Sequence, residues 1–180
     1  PIFHEISNDV FKKIKDDSNF LLVDPQGFLR QKDSKNNIIL KKTDLDLSDV
    51  NAIKINPEEG QNIVSGSHDE MMLALQKKGI EYVLLTNKSD VSLLVKNRVY
   101  SLKLPNKHIH DTTGIGDIFC SAFTCTMLKE KDFLWALCFA AGSAQAALES
   151  NNVGLQKIPK KGMIENNASY FYNLVDFRDL

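Results

Sequence analysis

Asp111-Thr112-Thr113-Gly114-Ile115-Gly116-Asp117-Ile118-Phe119 sets two glycines ahead of an acid at the opening of an apolar helix. A glycine-rich turn at a helix N-terminus leaves backbone N–H groups unpaired, with the positive end of the helix dipole behind them. That arrangement suits a phosphate, and a carboxylate beside it could accept a proton from an attacking hydroxyl. The alternative is a plain helix start, in which Asp117 is merely favourable beside the dipole. Downstream, two long segments, Ile115 to Lys129 and Asp132 to Glu149, are rich in Ala, Cys and Phe and poor in charge. Both are expected as mostly buried helices.

Upstream of the motif, short apolar runs alternate with helical patterns. Phe20-Leu21-Leu22-Val23, stopped by Asp24-Pro25, reads as a strand buried on both faces, as does Tyr82 to Thr86, and Val50 to Ile55 is a further strand candidate. Asn8 to Lys15 has helical spacing behind Ser7 and Asn8, and Ser67-His68-Asp69-Glu70 is a capping box opening a helix that Gly79 stops. Gln31 to Asp49 is expected as a surface excursion or small hairpin, and Val91 to Val95 with Arg98 to Leu104 as a strand pair turning at Lys96-Asn97. The polar stretch from Asn151 onward is expected to wrap the surface. Strands alternating with helices argue an α/β fold, a mainly parallel sheet with helices on both faces, in one domain over residues 1–180.

Composition removes several function classes. The 180 residues are 43% hydrophobic, with 22 basic and 23 acidic side chains and a net charge of −1. No basic stripe points to nucleic acid, and the chain is too apolar for disorder. The most apolar run, Phe133 to Leu148, falls short of the ~20 residues of a bilayer span. Cys120, Cys125 and Cys138 read as reduced core thiols in a cytoplasmic protein. Phe119, Phe123, Phe133 and Trp135 read as core aromatics. His108 and His110 lack a third ligand at useful spacing, and no Walker-type motif is present.

The order Asp-Thr-Thr-Gly-x-Gly-Asp-x-Phe at residues 111–119 resembles the C-terminal signature of the ribokinase/PfkB family of sugar and nucleoside kinases. Asn56-Pro57-Glu58-Glu59 is similar to that family's Asn-x-x-Glu motif, though Asn, Pro and Glu in this order also make a capping box. Asp24 to Arg30 is similar to an Asp-x-Asn-x-x-Arg-like segment after an earlier strand. Two positions depart from the pattern. Ile115 stands between the glycines where a small residue is usual, and Lys88 and Val91 stand where the family has the glycines of Thr-x-Gly-x-x-Gly.

The resemblance implies a ribokinase-like fold and transfer of the ATP γ-phosphate to a hydroxyl of a sugar or related small molecule, with a nucleoside as the alternative acceptor. It implies Asp117 as general base, the N–H groups of Gly114, Ile115 and Gly116 as anion hole, and Asn56 and Glu59 as organisers of Mg2+ and the phosphates. Thr86, Lys88, Ala141 and Ser143 would border the nucleotide. The family's N-terminal half, with its lid and Gly-Gly motif, has no counterpart here, so the chain reads as a C-terminal nucleotide-binding part. That half or a homo-oligomer partner is expected to complete it. A nucleotide-binding or assembly module without catalysis is the reading from a different class.

Overall fold

Three apolar runs become the parallel strands of a sheet. The structure, a computed structural model, describes residues 2–43, 45–105 and 111–180. The chain divides into two compact units, Pro1–Asn87 with Ser92–Val99 and Asp179–Leu180, and Lys88–Val91 with Tyr100–Arg178.

The first unit contains α1 (Asn8–Asp17), β1 (Leu22–Val23), α2 (Gln26–Leu29), β2 (Arg30–Lys32), β3 (Ile38–Leu40), β4 (Ala52–Ile55), α3 (Pro57–Gln61), α4 (His68–Lys77) and β5 (Tyr82–Asn87). Strand β4 pairs in parallel with β1, Ala52 opposite Leu22, and with β5, Ala52 opposite Tyr82 and Ile55 opposite Leu85. All four β4 residues are buried, as a strand covered on both faces requires. Phe11, Phe28, Ile53, Met72, Leu75 and Val83 form the core around them. Ser67 caps α4 through a complete capping box with Glu70, and Gly79 follows at φ 100° in the left-handed conformation of a helix stop. The expected excursion is the antiparallel β2–β3 hairpin.

Strands β6 (Asp90–Val95) and β7 (Arg98–Lys103) follow. Lys96 and Asn97 join them with φ of 48° and 63°, the positive-φ pair of a tight hairpin turn. The six-stranded sheet runs β1-β4-β5-β6-β7-β8, the last strand being Asp176–Asp179.

The second unit is built on α5 (Ile115–Glu130), α6 (Phe133–Leu148) and α7 (Lys161–Tyr172). Asp132 caps α6, its Oδ1 accepting from the N–H groups of Leu134 (2.9 Å) and Trp135 (3.0 Å). Helix α6 is buried almost all round from Ala136 to Ala147, and α7 lies close against it. A Cβ on Gly142 would sit 2.8 Å from Ile164 O and 2.9 Å from Ala168 N, both backbone atoms, so only glycine permits this approach.

Three expectations are corrected here. The stretch after Asn151 carries α7 and β8 where a wrapping segment was expected. Helix α5 is not mostly buried, because only Phe119, Phe123, Thr126 and Met127 on one face are. Cys125, expected in the core, is exposed, and Phe133 and Trp135 are half-buried. No helix of the described residues is long and apolar enough to cross a membrane.

Candidate active site

The start of α5 is built from a turn that caps nothing. Thr113 N–H donates to Asp111 Oδ1 at 2.9 Å, and Ile115 N–H donates to Thr112 O at 3.2 Å. Gly114 occupies the N-cap at φ 77° and offers no side chain to the helix. A Cβ there would meet nothing within 4 Å, so glycine is needed for its left-handed backbone and not for space. The first helical bond runs from Ile118 N–H to Gly114 O at 3.0 Å. Helix geometry leaves the N–H groups of Gly116 and Asp117 without an intrahelical acceptor, and the dipole makes that end positive. Of the three expected anion-hole amides, that of Ile115 is therefore committed to the turn. Asp117 is exposed in the first turn. Hydrogen bonds from the Thr113 hydroxyl and N–H, then from the Lys157 ammonium, hold the Asp111 carboxyl down at about 2.

Beside this turn lies a cavity of about 620 Å³, within the ~300–1,000 Å³ of small-molecule sites. Asp117, Ile118, Ser121, Ala122 and Cys125 line it from one face of α5, which explains why that face is not buried in the core. Phe139 and Ser143 of α6, Ile164 of α7, and Leu155, Ile158 and Pro159 supply most of the remaining wall. Asp111, Thr113, Asp117, Ser121, Ser143 and Lys157 are its polar lining, and the rest is mainly apolar. Ser143 Oγ donates to Phe139 O at 2.9 Å. Ala141 is fully buried and outside the cavity wall, since two residues along a helix turn through ~200°. The structure thus brings Asp117, Gly114 and Ser143 to one cavity and leaves Ala141 behind it.

Asn56 and Glu59 open α3, directly after the buried β4. Asn56 Oδ1 accepts from Glu59 N–H at 2.8 Å, and Glu59 Oε2 accepts from Asn56 N–H at 2.8 Å. Glu59 is 1% exposed, and Lys54 Nζ lies 3.9 Å from its Oε2 and 3.0 Å from Asp24 Oδ2. Burial pushes the Glu59 carboxyl above its ordinary range, against the opposing charge of Lys54. Both side chains serve the helix cap. One oxygen of each side chain is committed to the cap, and the cation nearest the carboxylate is the chain's own ammonium. Among the described residues no cluster of three or more His, Cys, Asp or Glu is arranged to hold a metal.

Thr86 lies near the end of β5 with its Oγ1 3.5 Å from Ile55 O. Lys88 is exposed with φ 56°, a left-handed backbone at a position where the family pattern has glycine. His108 and His110 lie outside the described residues. The residue that sequence reasoning missed is Lys157. It is 3% exposed and bonded to Asp111 and Thr113; no local pattern marks a lysine whose partners lie 46 and 44 residues away.

Solved structures place this architecture among known folds. A pyrophosphate-dependent myo-inositol-1 kinase converted into a myo-inositol-3 kinase by two substitutions is 19% identical, with a TM-score of 0.78 over 94% of this chain and 60% of that one. Ribokinase from Thermotoga maritima is 16% identical, with a TM-score of 0.70 over 92% and 55%. Arabidopsis thaliana ribokinase complexed with ribose and ATP is 19% identical, with a TM-score of 0.62 over 92% and 61%. The likeness establishes a ribokinase-like fold, and the chain spans at most 61% of the length of these three structures. Comparison with curated protein sequences finds no match. The model of the pfkB family of carbohydrate kinases matches residues 26–161, well over half of the sequence, and the chain belongs to that family.

Proposed function

We propose that the complete protein transfers the γ-phosphate of ATP to a hydroxyl of a sugar or related polyol, and that this chain carries the donor site and the base. The observation that carries the reading is Asp117, exposed in the first turn of a helix with no capping side chain, in the wall of a mainly apolar cavity.

The roles follow from that geometry. The Asp117 carboxylate accepts the hydroxyl proton as the oxygen attacks the γ-phosphorus, and ADP leaves with the bond to its β-phosphate oxygen. Negative charge on the transferring group faces the N–H groups of Gly114 and Gly116 and the positive end of α5. Positioning of this kind supplies most of the catalysis in phosphoryl transfer. The donor is proposed to be its magnesium complex, whose ion would neutralise charge on the phosphates. Thr86 and Lys88 are assigned to the nucleotide by family resemblance, Lys88 as an exposed ammonium able to meet a phosphate.

The relatives leave two donors to choose between, because one is named for pyrophosphate and another is complexed with ATP. The cavity favours the nucleotide. Its wall of Ile118, Phe139, Leu155, Ile158 and Ile164 suits a flat purine ring, whereas pyrophosphate has no apolar part to place there. Ser143 gives that wall one hydroxyl. The cytoplasm, where ATP is available and the free thiols Cys120, Cys125 and Cys138 stay reduced, is the compartment this reading assigns.

The test assays the complete protein with ATP and with pyrophosphate against ribose, fructose phosphate, myo-inositol and nucleosides. Turnover with ATP on one acceptor is expected, and none with pyrophosphate. Turnover with pyrophosphate alone would overturn the donor assignment. ATP binding without turnover on any acceptor would make the protein a nucleotide-binding module.

A further inference from the structure

Lys157 ends the 3-10 turn Gly154–Lys157 with its side chain 3% exposed. Its ammonium donates to Asp111 O at 2.6 Å, to Asp111 Oδ2 at 3.1 Å and to Thr113 O at 3.2 Å. Three oxygens meet three ammonium protons, so the bonding capacity of the buried charge is filled. An unpaired buried charge is costly, and removing the ammonium would leave two carbonyls and a carboxylate gathered around an empty point.

The consequence reaches the next peptide. A trans peptide is planar, and its C=O and N–H point in opposite directions. Drawing Thr113 C=O onto Lys157 therefore turns Gly114 N–H away from it, and drawing Asp111 C=O inward does the same for Thr112 N–H. Gly114 cannot hold its own orientation, being a glycine at φ 77° with open space around it. We propose that Lys157 is a positioning residue, a built-in cation that sets the direction of the Gly114 amide and so shapes the phosphate-binding start of α5. What the oriented amide does rests on the kinase reading; the orientation itself does not.

The experiment uses the complete protein, wild type beside Lys157→Met and Lys157→Ala. Charge-assisted bonds of this kind correspond to roughly 10–100-fold in an equilibrium, so hydrogen exchange at the two bonded amides of residues 112–116, Thr113 and Ile115, is expected to speed up by that factor in both variants. Exchange in α6 should stay near wild type. Ammonium chloride should slow the exchange again in Lys157→Ala by refilling the vacated point, and tetramethylammonium chloride should not. Where ATP turnover is present, kcat falls with the exchange change and returns with ammonium, while acceptor KM stays put. Unchanged exchange at 112–116, or equal rescue by both salts, would overturn the proposal. Should both variants fail to fold, the wild-type protein decides by NMR of its lysine ammonium groups. A Lys157 signal protected from solvent exchange supports the proposal, and exchange like that of surface lysines overturns it. The exchange and ammonium readouts stand even if no turnover is found, so failure of the kinase reading is separate from failure of this one.

Discussion

The helix starts of α3 and α5 solve the same electrostatic problem in opposite ways. One follows a strand and the other a turn, and both carry an acid in the first turn. At α3, Asn56 and Glu59 satisfy each other's N–H groups, and the carboxylate is buried. At α5 the cap is a glycine, no side chain bonds to the first turn, and Asp117 is exposed beside a cavity. A helix end that satisfies its own donors contributes stability; one left open offers those donors to something else. The contrast supports a capping role for one motif and the proposed chemistry for the other, although both resemble the family pattern in sequence.

The largest expected effect breaks the contrast at α5. Asp117→Asn keeps the shape and the hydrogen bonding but cannot take a proton. In the complete protein kcat should fall at least ~10²-fold, roughly 3 kcal/mol or more of barrier, with ATP affinity within a few-fold of wild type. Steady-state kinetics beside an ATP titration checks it; a plain helix start would leave the rate intact and lose only ~0.3–1 kcal/mol of stability.

At α3 the pattern should invert. Asn56→Ala removes the cap acceptor and should cost about 1 kcal/mol of stability, while kcat and its dependence on magnesium stay unchanged. Thermal melts and rates taken over a magnesium series on one preparation separate the two roles. A shifted magnesium dependence would restore a metal role to this helix start.

The smallest effect is a pair of titrations. The Asp111 carboxyl should titrate at about 2, held down by its bonds to Thr113 and Lys157, and Glu59 above the ordinary range because it is buried. The signs differ. Asp111 contributes stability that is present above the ordinary carboxylate pKa and lost as pH falls through its own. Glu59 favours the folded state most below the ordinary value, and that contribution is lost as pH rises through its raised pKa. Carbon-13 NMR of both carboxyls reads this directly; Glu59 titrating below the ordinary range would mean that its charge, and not its burial, governs the site.

Legibility followed the same physics. The strands β4 and β5 and the helices α4 and α6 could be read because buried parallel strands are continuously apolar and the caps Ser67 and Asp132 are explicit residues; α5 could be read from its apolar run after the glycines. Helix α7 was obscured by Gly162 and Asn166-Asn167, and only Ala168 and Phe171 of it are buried. Strand β8 is exposed along its length and so carries no apolar alternation to find. At the site, the left-handed Gly114 and the first-turn Asp117 could be read from the motif. The commitment of the Ile115 amide to Thr112, the exposure of Cys125 on the cavity face, and the Lys157 bonds depend on which residues meet in space, which spacing along the chain does not encode.

The most direct measurement maps backbone amide shifts in nitrogen-15-labelled complete protein as ATP is added. The expected result is large, saturating shifts at Gly114, Gly116 and Asp117, with those of Asn56 to Glu59 small by comparison. Shifts at the α3 start with the α5 amides unmoved would contradict the assignment of the open helix end as the phosphate site.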